Sequence, residues 1–212
     1  MGRDDWYRRS SWTEADRLEF YQRLKRSRGS YHKAQYARIQ ASYLAGAGHI
    51  EPAIDLLNRL FVEFPHESQL AQAHLQKAQC FITEGRIDDA IQEFRATLEA
   101  EKRYPKSRTQ VWLDFPWFVV TRAMSDLYGE ALEFLESGDR WTMFPVDEYR
   151  LAAIRAFMAD ENGQSELARD FANTALSAAT KEYSGFRFHP KVGIVSRQDA
   201  EIKRRLERLA RG

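Results

Sequence analysis

Apolar residues recur along this chain in pairs of stripes with helical spacing, and a short polar turn separates the two stripes of each pair. Four alanines hold the same place in successive blocks, at spacings of 37, 41 and 37 residues, and three of them follow a glycine by five residues. A period between about 20 and 50 residues indicates stacked helix pairs, each burying its apolar face on the next. The alanines are Ala53, Ala90, Ala131 and Ala168, and the glycines are Gly48, Gly85 and Gly163.

The pattern predicts four helix pairs, each with a first and a second helix. Pro65 and Pro105 follow the first two pairs and are typical of helix ends. The third pair is the least regular, because Pro116 removes an internal hydrogen bond and should kink or restart its first helix. The predicted pairs span 31–45 with 51–64, 67–84 with 87–103, 109–124 with 127–136, and 145–160 with 165–183.

Single helices are predicted to cap both ends of the stack. The first begins at a capping box formed by Ser11 and Glu14 and continues to about residue 27. It carries Leu18, Tyr21 and Leu24 on one face. We expect one continuous domain, with a capping helix in 1–30, the repeats in 31–183, and a loop and last amphipathic helix in 184–212.

Small and apolar residues also hold fixed places around the four alanines. In this respect the blocks, over about residues 34–180, resemble tetratricopeptide repeats (TPRs), in which small residues lie where the two helices cross closely. The chain departs from the family pattern at two positions. Where the family has a tryptophan, this chain has Ala37 and His74, and of the terminal prolines of the family it has only Pro65. The resemblance implies an all-α, right-handed superhelical solenoid. Twelve residues before the alanines stand Ala41, Ala78, Val119 and Ala156, and four residues after them stand Leu57, Phe94, Leu135 and Ala172.

The family resemblance also carries an expectation about function. First helices of TPR arrays line a concave groove that holds extended peptides, which implies an adaptor, scaffold or neutralising partner that binds a protein or peptide. Long amides can bond to a peptide backbone, and arginine can hold a carboxylate or phosphate through two hydrogen bonds. The groove positions of this chain, which we predict to bind the partner, are Gln35, Arg38, Ser42, Gln72, Gln79, Trp117, Arg150 and Phe157.

Residues near the two ends resemble a group of bacterial repeat proteins. The start Asp5-Trp6-Tyr7-Arg8 and the segment 184–195 carry this resemblance, which implies a bacterial protein of the cytoplasm. No stretch approaches the roughly 18 apolar residues of a membrane span, and the N-terminus lacks the apolar core of a signal peptide. We therefore expect no membrane partner.

The net charge of +1 conceals basic ends around an acidic middle. Residues 1–40 and 181–212 each carry five more basic than acidic side chains, whereas 41–180 carry nine more acidic than basic ones. The ends could bind phosphates of a nucleic acid, which is the alternative function, or pair with the middle of another subunit in a homo-oligomer. They could also be solvated faces of the capping helices, which is the simpler interpretation. The last helix contributes Lys203, Arg204, Arg205, Arg208 and Arg211.

The chain lacks the motifs of common catalytic and metal sites. Its single cysteine, Cys80, excludes an intramolecular disulfide, and its five histidines show no metal-ligand spacing. It contains no glycine-rich phosphate loop, nucleophile elbow or His-Glu-x-x-His sequence. We therefore expect no enzyme activity, no cofactor and no metal.

Two aromatic segments each allow two interpretations. Trp112, Phe115, Trp117 and Phe118 surround Pro116, where they could fill the core of an irregular pair or anchor a partner. The segment 184–190 could cap the stack or fold back along its groove.

Overall fold

A computed structural model describes residues 5–137 and 142–212, and its helices form two compact units that divide after Val111. Every regular element in these ranges is helical, which confirms the all-α class. The first unit contains a 3₁₀ turn (Asp5–Tyr7) and the helices α1 (Glu14–Arg26), α2 (Ser30–Gly46), α3 (Ile50–Glu63), α4 (Glu67–Thr83) and α5 (Ile87–Arg103).

The second unit contains the remaining helices. These are α6 (Val111–Thr121), a 3₁₀ turn (Ser125–Leu127), α7 (Tyr128–Ser137), α8 (Pro145–Glu161), α9 (Ser165–Ala179) and α10 (Ala200–Arg211). Helices α2 and α3, α4 and α5, and α8 and α9 pack as pairs, and α4 lies against both α2 and α3. This packing is consistent with a helical repeat.

Three inter-helix turns share one backbone pattern. Each contains a glycine with positive φ, a backbone conformation that residues with a Cβ rarely adopt. The recurring glycines therefore allow the helix to end there. The residue after each glycine donates its N–H to a carbonyl five residues earlier, as in a Schellman motif. These bonds are His49 to Leu44 (2.9 Å), Arg86 to Phe81 (2.9 Å) and Gln164 to Ala159 (2.8 Å).

The repeated small residues lie in the core. All four marker alanines are at most 1 % exposed, and so are the residues twelve positions before them. A methyl group at these places lets paired helices approach closely, because a longer side chain would hold them apart. The structure therefore confirms the burial of these residues, and the pairs α2 with α3, α4 with α5 and α8 with α9 pack together.

The start of α1 differs from the prediction. Thr13 is the N-cap, and Asp16 takes the place expected for Glu14. The Asp16 N–H donates to Thr13 Oγ1 (3.2 Å), while the Thr13 N–H donates to Asp16 Oδ2 (2.9 Å). The predicted box of Ser11 and Glu14 is wrong because the helix begins at Glu14, two residues later than that box requires.

Helix α6 continues through Pro116 without restarting. Phe115 is fully buried and Phe118 is 3 % exposed, while Trp112 and Trp117 are half-buried. The Phe115 ring meets Phe134 of α7 with centroids 4.3 Å apart. Core packing therefore accounts for the two phenylalanines, and the two tryptophans lie at its edge.

The loop after α9 is tied down at several points. α9 ends at Ala179, four residues before the predicted end, and Ser184 donates its N–H to the Pro190 carbonyl (2.8 Å). Gly193 accepts a hydrogen bond from the Val146 N–H (2.8 Å) and lies so close to the Phe144 ring that a Cβ would collide with it. α10 then packs against α8 and α9.

Candidate binding surfaces

A cleft of about 250 Å³ opens between α2 and α4 in the first unit. Its wall on α2 consists of small residues, its floor includes Ile50 and Leu57, and its wall on α4 is polar. The lining contains no lysine, arginine, aspartate or glutamate, so the cleft suits a neutral group. The lining residues are Ala41, Ser42, Ala45, Gly46, Ile50, Leu57, Gln76, Gln79, Cys80 and Thr83.

Two of the predicted partner-binding residues meet at this cleft. Ser42 and Gln79 both line it, and both are exposed. Gln76 also lines the cleft, and its Oε1 is shielded from solvent and has no hydrogen-bond partner among the described residues. A buried acceptor without a donor costs about 1–3 kcal/mol. Sequence reasoning missed Gln76 as a lining residue of this surface, although it lies three residues before Gln79 on the same helix.

Arg38 is held within the protein. Its Nε donates to Oε1 of Gln69 on α4 (2.9 Å), and Gln69 itself is buried. Burial lowers the pKa of the Arg38 guanidinium. Gln35 is half-buried and donates to the Tyr31 hydroxyl (3.4 Å), and Gln72 is half-buried on α4. Arg38 therefore joins α2 to α4 through its Nε.

Trp117 and Arg150 come together in the second unit. The Arg150 guanidinium lies 5.5 Å from the Trp117 ring, and its Nη2 donates to Asp114 of α6 (2.7 Å). Its Nε and the hydroxyl of Tyr149 are shielded and have no hydrogen-bond partner within the described part of the chain. Burial raises the pKa of Tyr149 to about 12 and raises that of Asp147 above its ordinary value. Asp114 thus already occupies the guanidinium that was predicted to receive a partner's carboxylate.

Phe157 is fully buried on α8. The Arg205 guanidinium of α10 covers its ring at 4.0 Å from the centroid. Arg205 also points Nη1 at the Val120 carbonyl (3.5 Å). Phe157 therefore belongs to the core of the second unit, and we place no partner contact on it.

Helix α10 presents cations beside this contact. Arg204 and Arg208 are exposed and, among the described residues, have no carboxylate within ion-pair distance. They line a shallow depression together with Glu201 and Arg205. The apolar side of the helix is buried at Ile202 and Leu206. One side of α10 therefore packs on the unit, and the other displays positive charge.

The single cysteine, Cys80, is buried in the first unit. Burial raises the pKa of the Cys80 thiol to about 11, which keeps it protonated near neutral pH. Within the described ranges, no three His, Cys, Asp or Glu side chains gather as metal ligands. None of the described helices is both long and apolar enough to cross a membrane.

A groove between α1 and α3 has no counterpart in the sequence-based predictions. Leu24 of α1 is buried, whereas Leu18 is 61 % exposed, although the sequence pattern predicts both on one face. The buried pair is Phe20 and Leu24, four residues apart. Leu18 and Tyr21, three residues apart, instead line the groove. Helix α1 thus has a second apolar pair that does not lie on its buried side. This second pair is the sequence signal that indicates the groove.

Comparisons with protein-family models, curated proteins and solved structures gave no match. The likeness to TPRs therefore rests on the repeated residues and on the paired helices with their shared turns.

Proposed function

We propose that this protein is a TPR-type binding module of the bacterial cytoplasm, a right-handed helical stack without catalytic activity. Its role would be that of an adaptor, scaffold or neutralising partner for a protein or peptide. The cleft between α2 and α4 is the proposed docking place. The observation that carries this proposal is that Ser42 and Gln79, selected from the repeat register, line the same cleft.

The chemistry of the cleft supports a segment of another protein as its occupant. Its small residues on α2, such as Ala45 and Gly46, leave room for a backbone to approach closely. The amides of Gln76 and Gln79 supply donors and acceptors for peptide groups. The volume is below the roughly 300–1,000 Å³ of pockets for drug-sized ligands, so one or two side chains would fill it.

The second unit supplies a further contact in this proposal. Trp117 is half-buried, and its ring is held by Arg150 and by Tyr149, whose centroid is 5.8 Å away. Large rigid aromatic side chains often dominate interface energies. We therefore retain Trp117 as a partner contact and assign Arg150 the role of holding it.

The cleft can be tested with substitutions at its exposed rim. We expect Ser42→Arg and Gln79→Arg to weaken partner binding at least about tenfold, because a long cation would block a neutral cleft. The partner is first captured from the native host, identified by mass spectrometry and purified. Its affinity for each variant is then measured by calorimetry.

Gln92→Arg is the matched control, since Gln92 is exposed on α5 of the same unit and does not line the cleft. All three variants should keep the wild-type circular dichroism spectrum. Binding that survives both rim substitutions would remove the cleft as the docking place.

Nucleic-acid binding is the second candidate. Arg204 and Arg208 on α10 favour it, because both are exposed and neither has an ion pair among the described residues, which leaves them available to phosphates. The acidic stretch between the basic ends opposes it, since residues 41–180 carry an excess of nine negative charges. We rank it second for that reason.

A further inference from the structure

The groove between α1 and α3 in the first unit has a volume of about 640 Å³. This size lies within the roughly 300–1,000 Å³ typical of binding clefts. The indole of Trp12, two residues before α1, and the ring of Tyr21 on α1 line the groove, and Pro52 begins the opposite wall on α3. The full lining is Trp12, Glu14, Arg17, Leu18, Tyr21, Pro52, Asp55, Asn58 and Arg59.

The same surface carries projecting apolar side chains. Leu18 stands at the groove with 61 % of its surface exposed. Val62 is 82 % exposed, and it lies three and four residues beyond Arg59 and Asn58 on the same side of α3. Single exposed leucines are ordinary, but a leucine beside an aromatic groove gives one patch both a projection and a recess.

Charges of both signs border the groove. Glu14 and Asp55 are exposed, and neither has an ion pair among the described residues; the same holds for Arg17. Arg59 is fixed, because it donates to Glu63 (2.6 and 3.1 Å) and lies 4.1 Å from the Tyr21 ring centroid. The patch therefore offers free carboxylates and a free guanidinium within a few turns of helix.

We propose that this face binds a second copy of the same chain in a two-fold dimer, with Leu18 of each copy entering the groove of the other. A two-fold interface uses one patch twice, so the patch must complement itself. The groove meets that condition in shape, through Leu18 and the recess, and in charge, through Arg17 and the two carboxylates. The dimer does not involve the cleft between α2 and α4 and goes beyond the proposed function.

Analytical ultracentrifugation of the full chain tests the proposal. We expect a reversible monomer–dimer equilibrium between about 1 and about 200 µM, a range in which weak dimers dissociate. Leu18→Glu should raise the dissociation constant at least about tenfold, because it would bring a carboxylate into an aromatic groove that already holds Glu14 and Asp55. Its thermal unfolding should match that of the wild type, since Leu18 contributes little to the core.

Leu167→Glu is the matched control, because Leu167 is 47 % exposed on α9 of the second unit. It should leave the dissociation constant unchanged. A wild-type protein that is monomeric throughout, or a dimer that Leu18→Glu does not weaken, would overturn the proposal. A monomer whose Leu18→Glu variant loses a captured protein would assign the face to a different partner and would also overturn it.

Disulfide trapping locates the interface. A mixture of Leu18→Cys and Asn58→Cys chains should form a mixed disulfide dimer under mild oxidation, whereas Leu18→Cys with Leu167→Cys should not. The native Cys80 does not interfere, because it is 4 % exposed and burial raises the pKa of its thiol to about 11. Equal yields from the two mixtures would contradict the proposed geometry.

Discussion

At the scale of single residues, the carboxylate of Glu93 ties α5 to α4. Its Oε2 lies 2.6 Å from His74 Nδ1, and its Oε1 accepts from Lys77 Nζ at 2.7 Å. The His74 ring stacks on Phe61 of α3, with centroids 4.2 Å apart. One half-buried carboxylate thus connects three helices of the first unit. Burial alone raises the pKa of Glu93, but the hydrogen bonds from His74 and Lys77 outweigh it and hold the pKa below its ordinary value.

We expect Glu93→Gln to destabilise the protein by about 2 kcal/mol at pH 7, the scale of hydrogen bonds to a charged group. Because the folded-state pKa is lowered, the stabilisation is present above the unfolded pKa of about 4.3 and is lost as pH falls through the folded value. Urea unfolding at pH 7 and below about pH 4 measures the difference. Glu99→Gln, on the exposed side of α5, is the control. If Glu93→Gln destabilises the protein equally at both pH values, the stabilisation does not come from the charge of the Glu93 carboxylate.

At the scale of elements, the turns between paired helices depend on backbone conformation more than on contacts. Gly46 and Gly48 lie two residues apart at the end of α2, and a Cβ on either would meet nothing within 4 Å. Only Gly48 has a positive φ, at +85°. Substituting each glycine by alanine therefore distinguishes the effect of a positive φ from the effect of crowding by neighbouring atoms.

We expect Gly48→Ala to lower the free energy of unfolding by about 1–2 kcal/mol, because alanine is strained in the left-handed region. Gly46→Ala should be neutral or stabilising by up to about 1 kcal/mol, since the position is helical. Equilibrium unfolding in urea compares the two variants. Equal destabilisation of both would show that space, and not φ, determines the choice of glycine.

At the scale of the whole molecule, the charges are segregated along the chain. The two ends carry an excess of basic residues, whereas the stretch between them is acidic. The basic excess includes residues that already have a contact within the chain, such as Arg205 over Phe157 and the exposed Arg23, whose Nη2 lies 2.8 Å from Glu19. The number of cations available to an anionic partner is therefore smaller than the sequence count.

We expect any binding of duplex or single-stranded nucleic acid to be weak and to disappear near physiological salt. Each neutralised phosphate releases roughly 0.7–0.9 of a counterion, so the affinity should fall steeply with salt. Fluorescence anisotropy across a salt series measures this slope, and Arg204→Glu with Arg208→Glu should reduce it. Tight binding at physiological ionic strength would make nucleic-acid binding the better account.

Much of the fold was predictable because its signals are local. The helical period and the recurring glycine and alanine positions predicted the pairing of α2 with α3, α4 with α5 and α8 with α9, and the structure confirms it. Helix ends were less accurate, as at Thr13 and Ala179, because several polar residues can cap a helix and a helix can end before its apolar pattern does. The arrangement into one domain and the binding residues remain predictions.

The sequence by itself determined which residues are small, apolar or charged and how they repeat, and this suffices for an all-α chain of paired helices. Only the tertiary structure decided which of these side chains are available. Arg38 is bound to Gln69 and Arg150 to Asp114, partners 31 and 36 residues away. Phe157 is buried and Leu18 is exposed. The reason is that periodicity is set by neighbours along one helix, whereas exposure depends on which distant helix packs over each face.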